Sequence, residues 1–197
     1  FVMGESYAGH YIPALGSKIL LDENPKRESN GRINLKGCAI GDGLTDPVLQ
    51  VLTKPLSADK FGLIDISTMG EAEVFSLRAH EYAKKGEYGK AKEQREAMED
   101  LVKKASGANL YDVRLFGDYD HSREENFLNL DETKEMLGVP LSQSFGTNNN
   151  VRVGLNDDVM KSYKHNVRDI IEAGVPVLLY QGQFDWKDGS TQNEIWV

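Results

Sequence analysis

Residues Met3-Gly4-Glu5-Ser6-Tyr7-Ala8-Gly9-His10-Tyr11 place a serine among small residues just after an apolar run, and Gly182-Gln183-Phe184-Asp185 places an acid just after another. A serine at a sharp strand-to-helix corner is held clear of the sheet, so its hydroxyl can meet a substrate and a base at once. That is equipment for nucleophilic acyl transfer, which needs a serine, a base to take its proton, an acid to orient the base, and donors for the oxyanion. Ser6 is the candidate nucleophile and Asp185 the candidate acid. Taken singly, Ser6 also reads as a helix cap and Asp185 as a turn residue. Taken together, at the ends of two strands and in the order nucleophile then acid, they read as a catalytic pair. The histidines are His10, His80, His121 and His165, so none follows Asp185, where the base belongs in that order. His10 is expected to point along its helix, and the other three to serve surface or packing roles. The base is therefore expected outside these 197 residues. No metal or cofactor enters this chemistry.

The elements that must position the pair follow from hydrophobic spacing. Tyr11, Ile12, Leu15, Ile19 and Leu20 recur at helical intervals, which predicts a helix over residues 8–24 with Pro13 in an early turn and Asn24-Pro25 at its end. Ser29-Asn30-Gly31 reads as a turn and residues 33–40 as the next strand. Strand, corner, helix, turn and strand form a βαβ unit, hence a parallel sheet. Residues 157–173 are amphipathic and capped by Gly174. The β-branched run 175–180 then suits a buried parallel strand. Ser6 and Asp185 both fall in loops after strand ends, where open α/β sheets build their sites. Between these parts, residues 70–106 predict a helical hairpin broken at Lys84-Lys85-Gly86-Glu87, its mixed charges forming a solvated face. Residues 109–150 predict loops around one short helix at 131–137. The expected organisation is an α/β core from 1–48 and 151–197, interrupted by an insertion over 49–150.

Composition narrows the possibilities further. The chain is 40% hydrophobic and 27% charged, with a net charge of −8, which argues for a soluble globular protein and against a nucleic-acid partner. No run approaches the ~18 apolar residues of a membrane span. Cys38 stands alone, so no disulfide forms within these residues, and no Asn-x-Ser/Thr sequon is present. Phe1-Val2-Met3 reads as the end of a buried strand and Glu194-Ile195-Trp196-Val197 as part of a helix, so the chain is expected to be an internal piece of a longer polypeptide.

The string Gly-Glu-Ser-Tyr-Ala-Gly-His-Tyr departs from the generic G-x-S-x-G elbow, with Ala8 where the second glycine stands and Gly9 one place later. As a whole it resembles the nucleophile motif of the serine carboxypeptidases. Gly41-Asp42-Gly43-Leu44-Thr45-Asp46-Pro47 resembles that family's Ile-Gly-Asn-Gly-type loop, with Asp42 in place of the more usual asparagine. The segments Asn109 to Arg114, Phe127 to Val139, and Gly182 to Trp196 are similar to further stretches of the family. The insertion and Ile40 to Gly43 most resemble its vitellogenic-like members. The lone cysteine and the polar Trp186-Lys187-Asp188 depart from the family pattern.

The resemblance implies an α/β-hydrolase-type, mostly parallel sheet with helices on both faces and a helical insertion, incomplete here at both ends. It implies that the backbone N–H of Tyr7 helps to form the oxyanion hole and that Glu5 holds the substrate's free carboxylate. A second acid close by would keep one carboxyl protonated as a donor. The implied activity is a serine-type carboxypeptidase acting through an acyl-enzyme at acidic pH. Its substrates would be peptide or protein C-termini, with a second copy of the chain as a candidate partner. The implied setting is lysosomal, vacuolar or secreted. Two alternatives remain: an acyltransferase on the same scaffold, whose members usually carry Gly-Asp-Ser-Tyr-Ser-Gly, and a non-catalytic homologue.

Overall fold

The computed structural model describes residues 1–21, 33–146 and 148–197. Strand β1 (Val2–Glu5) turns into helix α1 (Ala8–Leu21), and β2 (Cys38–Gly41) returns beside β1. Strand β3 (Val177–Tyr180) adds to the far side of β2, giving the order β1-β2-β3 with both pairings parallel. Glu5 pairs with Gly41 and Gly41 with Tyr180, so the three strands end level. The α/β class expected of the βαβ pattern is therefore present. The expected end of α1 and the turn at residues 29–31 lie outside the described residues.

Alternation along the strands selects one covered face. Cys38 and Ile40 are buried there, with Val2, Val177 and Leu179 packed around them, while Met3 and Leu178 on the opposite face stay exposed. Ile12 of α1 joins Val167 and Ile170 of helix α8 (Lys164–Glu172) over the covered face. The two helices cross closely because Gly16 has no side chain: a Cβ there would lie 2.6 Å from the Ile170 side chain. Among the described residues, α1 and α8 both lie on this face.

A second core is helical. Helices α2 (Pro47–Lys60), α3 (Ile66–Lys84) and α4 (Tyr88–Ser106) pack along one another. Ala72, Ser76, Ala79 and Ala83 form one seam of α3, and Ala91, Arg95, Met98 and Val102 face it from α4, each series at alternating four- and three-residue steps. Small side chains on α3 let the pair approach closely. Asp65 caps α3 by accepting from Thr68 N–H at 2.8 Å. Gly86, at φ 77°, makes the turn into α4.

Helix α2 is not apparent from the sequence because its two prolines look like breakers. Pro47 sits at the first helical positions, where its missing donor costs nothing. Pro55 lies mid-helix and leaves the carbonyl of Val51, four residues back, without its donor. The Ser76 hydroxyl fills that vacancy from α3, donating to Val51 O at 2.8 Å.

The remaining elements differ from expectation in instructive ways. Residues 157–173 do not form one helix: turns occupy the first part, and α8 begins only at Lys164. The apolar spacing there serves two cores, since Met160 packs among helices α2, α3 and α4 while Val167 and Ile170 pack on the sheet. Tyr163 N–H donates to Thr45 O at 2.8 Å, which pins the chain between them. Gly174, at φ 80°, ends α8. Helix α6 (Asp131–Leu137) lies at the predicted residues, flanked by two short helices that the spacing does not predict, α5 (Ser122–Leu128) and α7 (Asn149–Gly154). Helix α9 (Ser190–Glu194) follows β3 and packs on α2.

The proline–serine pairing is testable by a double-mutant cycle. Ser76→Ala alone strands a buried carbonyl and should lower the unfolding free energy by about 1–3 kcal/mol. In a Pro55→Ala background, whose new N–H can reach Val51 O, the same change should cost clearly less. Equal costs in urea unfolding of both backgrounds would refute the compensation.

Candidate active site

At the end of β1 the backbone turns through Ser6 in the left-handed region, φ 59°. A non-glycine residue there carries a cost of about 1–2 kcal/mol, so something must hold it. Ser6 N–H donates to Gly41 O at 2.9 Å, and the Ser6 carbonyl accepts from Gly9 N–H at 2.9 Å and from Leu44 N–H at 3.0 Å. These bonds use only the backbone of Ser6 and do not consume its exposed hydroxyl. The small residues of the motif have separate reasons. A Cβ on Gly4 would lie 2.5 Å from Ala8 Cβ, and one on Gly9 would lie 2.6 Å from the Leu44 backbone. Glycine at position 4 is thus what allows alanine at position 8.

The neighbouring strand ends the same way. Asp42 also has positive φ, 40°, and its N–H donates to Tyr180 O at 3.0 Å. Gln50, fully buried on α2, fixes the loop that follows by accepting from Thr45 and Asp46 N–H and donating to Gly43 O. One oxygen of the Asp42 carboxylate accepts from Gly182 N–H at 2.7 Å. Burial pushes the Asp42 carboxyl up, the Gly182 bond works against this, and the charges of Glu5 and Asp188 push it up further. Glu5 itself ends β1 with an exposed side chain.

Asp185 lies in the loop after β3. Its Oδ1 accepts from the backbone N–H groups of Lys187 and Asp188. Burial pushes its carboxyl up to about 7; the backbone bonds oppose the shift, and the charges of Asp188 and Asp42 add to it. Glu5, Ser6, Asp42 and Asp185 therefore share the carboxyl edge of the sheet. Ser6 and Asp185 sit at its two outer strands with Asp42 between them. Two strand spacings separate the ends of β1 and β3 by roughly 10 Å, and Asp185 lies in the loop five residues beyond the end of β3.

Tyr7 packs into a cluster that no local signal announces. Its hydroxyl donates to Asp158 Oδ2 at 2.8 Å, and the Tyr163 hydroxyl donates to Asp158 Oδ1 at 3.0 Å. The Tyr7 ring stacks on His10 at 4.6 Å. Burial and the Asp158 carboxylate both raise the Tyr7 phenol, so it stays neutral. Asp158 is 151 positions from Tyr7, beyond the reach of any spacing argument.

The four histidines are engaged elsewhere. Both ring nitrogens of buried His10 face carbonyl oxygens, Nδ1 that of Leu44 and Nε2 that of Asp158. Burial holds its pKa down despite those contacts. His80 Nδ1 faces Val48 O at 2.7 Å, His121 faces Glu124, and exposed His165 lies beside Tyr163.

Behind Asp185 lies a group of buried charges, although their mixed signs along the sequence predict a solvated face. Arg95 and Glu99 of α4 are 6% and 7% exposed, and Lys54 of α2 is 0% exposed. Lys54 Nζ lies 2.9 Å from Glu99 Oε1, and Arg95 lies 3.0 Å from Glu99 and 3.4 Å from Asp188. Burial opposes ionisation of Glu99, yet Arg95, Lys54 and Lys187 outweigh it and bring the carboxyl down to about 2. The seam spacing of α4 does carry Arg95, but a charge at a seam position reads as exposed until its partners from α2 and residue 188 are known.

Known proteins resemble this chain along its whole length. "Serine carboxypeptidase-like 50" of Arabidopsis thaliana is 36% identical over the whole chain, which spans 44% of that relative's length. "Serine carboxypeptidase-like" of Pisum sativum is 33% identical over 98% of the chain and 71% of its own length. The crystal structure of Kex1(delta)p, a prohormone-processing carboxypeptidase from Saccharomyces cerevisiae, superposes with a TM-score of 0.82 over the whole chain and 47% of its own. At 20% identity, that match speaks to the α/β fold. The serine carboxypeptidase family model matches residues 1–197, and the chain belongs to the serine carboxypeptidase family.

Proposed function

We propose that the full-length protein is a serine-type carboxypeptidase that releases C-terminal residues from peptides through an acyl-enzyme, with Ser6 as nucleophile and Asp185 as the acid that orients the base. The observation that carries this reading is the left-handed corner at Ser6, at the same sheet edge as Asp185 with one strand between them. Strands β1 and β3 are two strand spacings, roughly 10 Å, apart, a separation suited to an imidazole bridging the loops that follow them. In this reading the imidazole comes from outside these residues. It takes the Ser6 proton as the hydroxyl attacks the scissile carbonyl, then returns it to the leaving amine. The Tyr7 N–H donates to the oxyanion, and the side-chain clamp on Asp158 keeps that peptide plane oriented. Water then cleaves the Ser6 ester by the same route. A lysosomal, vacuolar or secreted setting fits the family, and no described helix is long and apolar enough to cross a membrane.

Recognition of a free C-terminus falls to Glu5 in this proposal. Two carboxyl groups and a substrate carboxylate can coexist only where protons are shared, and Asp42 is the neighbour whose titration Glu5 already raises. Activity at acidic pH is the expectation, declining as Asp42 ionises beside Glu5.

Three outcomes test the reading. A fluorophosphonate probe should label the full-length protein, and Ser6→Ala should abolish labelling and lower kcat by about 10⁴–10⁶; a folded wild type that never reacts would exclude the enzyme. Glu5→Gln supplies a permanent donor, so the decline of kcat/KM with rising pH should move to higher pH. An unchanged rate and profile would remove Glu5 from substrate binding. The third concerns Asp185, whose folded pKa of about 7 lies above the unfolded value of about 3.9. The folded state therefore binds the extra proton between those values, and stability falls as pH rises through that window. Asp185→Asn cannot ionise, so its melting temperature should gain on that of the wild-type chain between pH ~4 and ~7. A shrinking difference would refute the raised carboxyl.

A further inference from the structure

Lys54 is one of the largest fully buried side chains in the molecule, and it lies on a helix of the insertion. Taking an ammonium group out of water costs several kcal/mol unless its donors are met. Its partners come largely from one place. Nζ donates to the backbone carbonyl of Lys187, lies 3.8 Å from Asp188 Oδ1, and sits 5.0 Å above the ring of Trp186. Glu99 of α4 completes the set. Residues 186–188 are the three that follow Asp185.

Those same three residues fix the Asp185 side chain. The N–H groups of Lys187 and Asp188 donate to Asp185 Oδ1. Trp186 is 0% exposed, and its Nε1 donates back to Lys54 O at 3.2 Å. Its backbone N–H and that of Lys187 reach Leu110 O. Arg95 holds Asp188 from the side of α4. The turn that presents the acid is thus bolted to the helical layer from behind.

Stability alone does not account for the arrangement. Buried ion pairs are commonly no more stabilising than apolar residues of the same volume, so their concentration behind one turn points to control of its geometry. We propose that Lys54 is a positioning residue, fixing from within the insertion the turn that aims the Asp185 carboxylate at the catalytic base. This rests on the reading of Asp185 as the acid of the triad.

Lys54→Met is a clean removal. Met follows the stem of the lysine, and the charges left behind balance: Arg95 and Lys187 against Glu99 and Asp188. Arg95 stays 3.0 Å from Glu99, and Lys187 stays 3.7 Å from it. What is lost is the donor to the Lys187 carbonyl and to Glu99, the ion pair with Asp188, and the cation over Trp186.

The experiment is a double-mutant cycle on the full-length enzyme, measured well below its melting temperature. Lys54→Met should lower kcat by about tenfold or more, because small misplacements of a catalytic group are costly, while KM for a peptide substrate changes little. In an Asp185→Asn background the same substitution should cost almost nothing, because the group it positions is already disabled. A purely structural lysine would lower kcat equally in both backgrounds, and that result overturns the proposal, as does a folded Lys54→Met enzyme with wild-type kcat. If Lys54→Met does not fold, Trp186→Phe, which removes only the indole donor and part of the ring, goes through the same cycle: a loss of kcat confined to the Asp185 background supports the proposal, and an equal loss in both overturns it. If Asp185→Asn alone keeps the wild-type rate, the assignment of Asp185 fails first and the positioning role falls with it; if Asp185→Asn is disabled and only the cycle fails, that assignment stands.

Discussion

Each of the first two strands passes one further backbone hydrogen bond to its neighbour after its last paired residue. Ser6 N–H reaches Gly41 O, and Asp42 N–H reaches Tyr180 O. Parallel pairing brings all three carboxyl ends to one edge, and these two bonds fix the height at which the chain leaves it. Two of the three departures use a non-glycine residue with positive φ. Such corners persist only where their surroundings over-determine them, and here the closing bonds come from the next strand and from the Leu44 N–H. Slipping β2 by one residue would turn Ile40 outward and carry Asp42 away from Gly182. The register therefore governs the core and the site together.

The loop after β3 belongs to both halves of the molecule. Leu179 packs in the sheet core and Trp186 in the helical one, seven positions apart. The chain reaches the helical layer through Trp186, and Asp185 occupies the last position before it. Residues 157–163 make the same passage in reverse, from Met160 among the helices to Val167 on the sheet, with Asp158 at its start clamping Tyr7. Both passages carry an acid that touches the site or its immediate neighbour. The helical layer is therefore a wall against which the loops of the sheet edge are fixed.

What can be read in the sequence follows from how local each cause is. The corner at Ser6 is legible because Gly4, Ala8 and Gly9 must be small for reasons lying within five residues or at the next strand. Alternation and β-branched runs mark the strands, and helical spacing marks α1, α3 and α4. Helix α2 is hidden because Pro55 is tolerable only through Ser76, a partner 25 positions from the carbonyl it rescues. The stretch 157–173 reads as one helix because apolar residues facing two different cores imitate a single face. Asp158, Lys54, Arg95 and Glu99 are unreadable as site-supporting residues for one reason: a buried charge is defined by its partners. For Lys54 those lie 45 and 133 positions away.

The carboxyl edge has an electrostatic consequence of its own. Burial raises both Asp42 and Asp185, and neighbouring charges add to it: Glu5 and Asp188 at Asp42, Asp188 and Asp42 at Asp185. A cation placed beside Asp42 and Asp185 offsets that repulsion and favours their ionised forms. In the proposed mechanism, the imidazolium formed when Ser6 gives up its proton is such a cation, bridging the loops after the two outer strands. An asparagine at position 42 would keep the hydrogen bond to Gly182 as an acceptor but contribute no charge. In the proposed mechanism the aspartate found here, when ionised, adds attraction for that imidazolium, at the expense of crowding the resting site with acids.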